Sequence, residues 1–129
     1  MPLLQTYLVE DSPLIRESLI ATLEELAPVK VVGSADDEDS ALRWLGGHAA
    51  DLVIVDLFLQ GGSGLGVLRA AQSAPAGSVN GRRHVVLSNY ATPAMRERCL
   101  ALGADGVFDK STEIDGLLAY CNALAEKLG

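Results

Sequence analysis

Residues 51–64 read DLVIVDLFLQGGSG, a short apolar run that delivers one carboxylate, Asp56, to the point where the run stops and glycines begin. An ionised carboxylate inside a buried strand must be paired, hydrated or bound to metal. At the strand's exit it is tolerated and useful. The stretch therefore reads as a buried strand over Asp51–Asp56 followed by a loop at Gly61, Gly62 and Gly64. The rest of the chain decides what else reaches that exit.

Working outward, the same pattern recurs. Leu3–Val9 is apolar and ends at Glu10 and Asp11, as a buried strand would. Ser12 and Pro13 are a cap and a first helical residue, and Leu14, Ile15, Leu19, Leu23 and Leu26 continue at helical spacing. Val29–Ser34 is a second strand, followed by Asp36, Asp37, Glu38 and Asp39 at the start of a helix through Leu45, where acids suit the helix dipole. Gly46 and Gly47 close that helix. Beyond the central stretch, Leu65, Val67, Leu68 and Ala71 mark a third helix, and SAPAGSVNGRR (73–83) has the composition of a long surface loop. His84–Leu87 is a fourth strand ending in Ser88, and Thr92 and Pro93 start a fourth helix that runs to a capping Gly103. Gly106–Asp109 is a fifth strand ending at Lys110. Ser111 or Thr112 caps a last helix whose apolar side is Ile114, Leu117, Leu118, Cys121, Leu124 and Leu128.

Five strands alternating with five helices through short connections imply right-handed crossovers, and so a parallel sheet covered on both faces: an α/β, (βα)5 flavodoxin-like domain spanning 1–129. A chain of 129 residues supports one core of this kind without staples. The formal charge of −7 argues against a nucleic-acid surface. No apolar run approaches a membrane span and the N-terminus is not a signal peptide, so a cytoplasmic protein is expected. Cys99 and Cys121 lack metal or redox spacing and read as buried free thiols.

In such a sheet ligands sit beyond the carboxyl ends of the strands. Those ends carry Glu10 and Asp11, Asp56, Ser88, and Lys110. With the first and third strands adjacent, Asp11 and Asp56 approach each other, and two unit charges ~4 Å apart repel by ~4 kcal/mol at an effective dielectric of ~20. A cation relieves that. Three acids and a backbone carbonyl, that of Phe58, form a hard oxygen site suited to Mg²⁺. Lys110 offers a positive charge and Ser88 a hydroxyl to phosphoryl oxygens. The set suits transfer of a phosphoryl group onto an Asp56 carboxylate oxygen, with Asp56 as nucleophile.

The whole chain resembles a response-regulator receiver (CheY-like) domain. The motifs that carry the resemblance are the acidic pair in LVED (Glu10, Asp11), the acceptor in VIVDL (Asp56), the hydroxyl in VVLSNY (Ser88) and the lysine in FDKS (Lys110). The resemblance implies a two-component phosphoacceptor and not an enzyme acting on outside substrates. It implies a sensor histidine kinase or phosphotransfer protein as donor, and a face of fourth helix, fifth strand and fifth helix that rearranges and offers a homodimer contact. The downstream target is not encoded legibly. No sequence for an output domain follows Gly129, so a stand-alone receiver is expected.

Three stretches depart from the family pattern. Gln60, Gly61 and Gly62 replace the usual proline loop and give the segment beside the site more freedom. Val107 stands where the family usually carries an aromatic switch residue, which leaves the switch weakened or carried by Phe108 or Tyr90. Ser111 follows Lys110 in place of the frequent proline, leaving that peptide's geometry open.

Blander readings apply elsewhere. Asp36–Asp39 reads as a solvated helix start, His48 and His84 as structural, Trp44 as half-buried packing, and Met95, Cys99 and Leu102 as core. Two other functional classes compete. One is a pseudo-receiver that works unphosphorylated, which Val107 keeps in play. The other is a haloacid-dehalogenase-like hydrolase, which the missing second acid in DLF disfavours.

Overall fold

The computed structural model describes residues 3–73, 82–89 and 91–128. Ten elements alternate along the chain: β1 (Leu4–Val9), α1 (Pro13–Leu26), β2 (Val29–Ala35), α2 (Glu38–Gly47), β3 (Leu52–Val55), α3 (Gly64–Ser73), β4 (Arg83–Ser88), α4 (Pro93–Ala101), β5 (Gly106–Asp109) and α5 (Ile114–Leu128). The strands form one parallel sheet in the order β2-β1-β3-β4-β5. This is the expected architecture, with β1 and β3 as central neighbours.

Strand alternation divides the core between the two faces. Leu52 and Ile54 of β3, with Leu4, Leu8, Val85 and Leu87, pack against Leu19 and Leu23 of α1 and Leu117, Cys121 and Leu124 of α5. Val53 and Val55 turn the other way, toward Ala41 of α2 and Val67 of α3. Val86 joins Leu68, Cys99 and Ala104 under α3 and α4. All four residues of β3 are buried, which is why that strand has no polar face in the sequence. Cys99 and Cys121 are buried free thiols, as expected. Met95 and Leu102 pack half-buried against the α4 cluster.

Helix starts follow the capping signals. Ser12 accepts a hydrogen bond from Ile15 N ahead of α1, Asp37 from Ser40 N ahead of α2, and Thr92 from Met95 N ahead of α4. Gly103, at φ 97°, takes the left-handed turn after α4. The start of α5 differs from expectation. Leu117 N donates to Glu113 O, which gives Glu113 the cap position, while the amides of Ser111 and Thr112 both donate to Asp109 Oδ1. The carboxylate that ends β5 thus organises the turn that the two hydroxyl residues were expected to cap.

No cis peptide occurs among the described residues, so the Lys110–Ser111 bond is trans. Of the long loop expected over 73–83, residues 74–81 lie outside the described residues, as does Tyr90. No helix among the described residues is long and apolar enough to cross a membrane.

Candidate functional site

The central strands end side by side because Asp56 N donates to Val9 O, and Glu10 N to Ala35 O. These main-chain bonds bring the residues after β1 and β3 to one level. Carboxylate oxygens of Glu10, Asp11 and Asp56 then all lie within 4.8 Å of one another. Glu10 is 1% exposed and Asp56 8% exposed, so these are buried acids and not a solvated rim.

Lys110 meets them from the far side of the sheet. Its main-chain N–H donates to Ser88 O at 3.1 Å, which registers the end of β5 on the end of β4. Its Nζ donates to Glu10 Oε2 at 2.7 Å and to Asp56 Oδ2 at 2.9 Å, with the Lys110 side chain only 10% exposed. Ser88 is buried beside them at the exit of β4. The structure therefore brings together Glu10, Asp11, Asp56, Ser88 and Lys110.

The electrostatics follow from burial and these contacts. Burial pushes the Glu10 carboxyl up; the Lys110 hydrogen bond pulls it back, and the neighbouring Asp56 pushes it up again. For Lys110, burial alone would lower the pKa, but the hydrogen bonds and charges of Glu10 and Asp56 outweigh it and hold the ammonium above its ordinary value. Three carboxylates facing one ammonium leave a formal excess of two negative charges. An all-oxygen donor set with that excess fits a hard divalent cation.

Hydrogen bonds tie the loop after Asp56 back to the strand end. Phe58 N points to Asp56 Oδ1 at 3.4 Å, Phe58 and Ser63 form an antiparallel bridge, and Gly64 N donates to Leu57 O. Gly64 is required by close approach: a Cβ there would come within 2.2 Å of Asp56 O. Phe58 is 52% exposed. Gly61 contacts α2 as well: its carbonyl accepts from Glu38 N, and it forms a parallel bridge with Asp37.

Alternation separates the two expected switch positions that are described. Val107 packs under α4 with Cys99 and Ala104, and its carbonyl accepts from Arg96 Nη1 at 2.9 Å. Phe108 lies on the opposite face, its ring 6.0 Å from that of Tyr120. Phe108 therefore does not stand in for an aromatic on the α4 face. Tyr90 lies outside the described residues.

Three contributors were not visible in the sequence reading. Arg16 Nη1 donates to Glu10 O at 2.9 Å and ties α1 back to the acid that ends β1. Arg96 joins Ala91 O and Val107 O and pairs with Glu113, linking α4, β5 and the start of α5. Glu38, taken as part of a solvated run, is half-buried and accepts from Ser63 N at 2.8 Å. Its signal was the run of acids itself, which reads identically whether or not a loop lies across it.

Residues 6–122 match the family described as the response regulator receiver domain. The chain is 31% identical over 103 residues to the probable transcriptional regulatory protein NarL of Mycobacterium tuberculosis, covering 80% of this chain and 46% of that protein. It is 27% identical over 108 residues to the response regulator UvrY of Escherichia coli (strain K12), covering 84% and 48%. The chain thus spans about half the length of the curated relatives it matches. Among solved structures, the signal receiver domain of the putative response regulator NarL from M. tuberculosis aligns with a TM-score of 0.80 at 28% identity, covering 95% of this chain and 98% of that one. A response regulator protein from Burkholderia pseudomallei, described with a phosphorylated aspartic acid, calcium ion and citrate, aligns with a TM-score of 0.74 at 25% identity, covering 96% and 70%.

Proposed function

Because the chain belongs to the response regulator receiver domain family, we propose that it works in two-component signalling by accepting a phosphoryl group on Asp56. The observation that carries this reading is Lys110 Nζ bridging Asp56 and Glu10 within a cluster of three acids. The donor is a sensor histidine kinase or a histidine phosphotransfer protein. An Asp56 carboxylate oxygen forms the new bond to phosphorus as the P–N bond of the donor phosphohistidine breaks. The freed imidazole nitrogen keeps the bonding pair and takes a proton from water. Lys110 exchanges its carboxylate partners for a phosphoryl oxygen, and the Ser88 hydroxyl donates to another. Glu10, Asp11, Asp56 and the Phe58 carbonyl are the residues that would hold Mg²⁺, which supplies neutralising charge to the phosphoryl oxygens.

The solved relative described with a phosphorylated aspartic acid and a cation supports the same reading. A pseudo-receiver is less favoured, since the groups such a module has no need of are buried together and paired here. A hydrolase acting on outside substrates is disfavoured by Phe58 at the place of a second acid. The test is intact mass after incubation with Mg²⁺ and acetyl phosphate. Wild type gains one phosphoryl group and Asp56→Asn gains none; an unmodified wild type under saturating donor overturns the proposal.

The finer parts of the reading each have their own check. The face of α4, β5 and α5, held by Arg96, carries the output and a homodimer contact, read by light scattering with and without a beryllofluoride mimic. Val107, small and packed under α4, weakens the switch on that face, and a Val107→Tyr variant then strengthens the mimic's effect on surface exchange. A cytoplasmic location is tested by fractionation of the native cells, where the protein should appear in the cytoplasmic fraction. The charge of −7 speaks against nucleic acid as a partner of these residues.

A further inference from the structure

The first turn of α2 lies across the loop that follows Asp56. Asp37 and Gly61 form a parallel bridge, and Glu38 N donates to Gly61 O at 2.8 Å. The Glu38 side chain continues over the loop, where Oε1 accepts from Ser63 N at 2.8 Å. Ser63 in turn starts α3, its hydroxyl accepting from Leu65 N and its carbonyl from Gly66 N. Glu38 thus holds the residue that holds the helix.

The glycines on either side of Ser63 fit this contact closely. A Cβ at Gly66 would meet Glu38 Oε2 at 2.2 Å, and one at Gly62 would meet Glu38 Cβ at 2.5 Å. Gly62 also has φ +92°, a conformation that side chains disfavour. Both positions therefore lie against the Glu38 side chain as it stands here, Gly66 against its carboxylate and Gly62 against its Cβ and Oε1. From Ser63 the connection runs back across the bridge to Phe58, whose N–H points at Asp56 Oδ1.

We propose that Glu38 is a positioning residue for the acceptor loop: by fixing Ser63, and through it Phe58, it sets the Phe58 carbonyl for the cation. The inference rests on the reading of Asp56 as phosphoacceptor and Phe58 as a cation ligand. A carboxylate suits the task because it accepts a charge-assisted bond at the positive end of α3. Its loss leaves the acids and Lys110 in place but loosens one cation ligand. The effect then falls on cation affinity and not on the rate at saturating cation.

The experiment uses the full chain. Calorimetric titration with Mg²⁺ in the absence of donor should show affinity weakened about tenfold in Glu38→Ala, the scale typical of lost outer-shell partners. Glu38→Gln, which keeps an oxygen for Ser63 N, should recover most of that loss. Hydrogen exchange at the Ser63 amide should accelerate in Glu38→Ala and not in Glu38→Gln. With acetyl phosphate as donor, the Mg²⁺ concentration for half-maximal uptake should rise in Glu38→Ala with the plateau unchanged. Unchanged Mg²⁺ affinity and unchanged Ser63 exchange in Glu38→Ala overturn the proposal, as does a lowered plateau with unchanged half-saturation.

Substitution of the glycine supplies a second arm. Gly66→Ala should lower Tm in the wild-type background. In Glu38→Ala it should be neutral or stabilising, because alanine favours a helix interior. Equal changes in the two backgrounds would refute the close fit. A wild type that binds Mg²⁺ but takes up no phosphoryl group would overturn the acceptor reading alone, because affinity and exchange still report on Glu38.

Discussion

The surroundings of the two ends of β4 both bury ionisable side chains, and they treat them in opposite ways. At the exit, beside Ser88, the charges are kept: Glu10 and Asp56 share the Lys110 ammonium in a pocket with little exposure. At the entrance, the charge is given up. His84 is 6% exposed, and its Nε2 has no hydrogen-bond partner among the described residues. It faces a cavity of about 190 Å³ lined by Leu68, Ala71, Arg82, Leu102 and Asp105. Burial, reinforced by Arg82 and only partly opposed by Asp105, lowers His84 to about 4, so the ring is neutral near pH 7. A buried charge is held only against partners, and partners are worth assembling where an incoming group will exchange with them. At the entrance no such exchange is proposed, and the His84 ring stays neutral near pH 7.

The comparison breaks most directly at Asp56. Asp56→Asn should abolish phosphoryl uptake while the chain stays folded, checked by intact mass and circular dichroism. If the asparagine variant took up a phosphoryl group, the exit cluster would not be the acceptor site. Next in size is Lys110→Ala, which leaves Glu10 and Asp56 buried without their cation. Loss of one partner from a buried ion pair costs about 4 kcal/mol, to be read by urea unfolding at neutral pH without Mg²⁺.

At the entrance the expected effect is a pH dependence. The folded pKa of His84, about 4, lies below its unfolded value of 6.5, so the unfolded chain binds the proton first as pH falls. The stabilisation is complete above pH 6.5 and is lost as pH drops through about 4, amounting to about 3 kcal/mol. His84→Leu should flatten this part of the stability profile, whereas an unaltered profile would place the titration elsewhere. The smallest change is expected for Arg82→Ala. Arg82 Nη2 donates to His48 O at 2.8 Å and to Leu45 O at 3.4 Å, and losing these contacts costs about 1 kcal/mol. Removing its charge should move the His84 titration upward, followed by the imidazole proton shift.

The exit was legible because sequence and topology coincide there. Each apolar strand stops at the residue that carries chemistry, and a parallel sheet puts all those stops on one edge. The pairing of Lys110 with Glu10 was less legible. Its sequence position suggests a phosphate contact, whereas the structure shows its ammonium holding two acids together. The opposite facing of Val107 and Phe108 follows from strand alternation and is written in GVFD itself. The role of Glu38 is not written anywhere locally. A capped, acid-rich helix start has the same sequence whether its carboxylate meets water or Ser63, and only the path of the loop distinguishes them. The α5 cap differs from expectation for a related reason: Asp109 ends β5, but its carboxylate also reaches forward to the turn.

Trp44 is the only tryptophan in the chain. It lies half-buried on α2, between the ring of Tyr7 at 4.1 Å and that of His48 at 4.3 Å. Because α2 also carries Glu38, its emission is a built-in optical reporter on the helix that braces the acceptor loop. A fluorescence change on adding Mg²⁺ or a phosphodonor would register, without any label, how far an event at Asp56 travels into that helix.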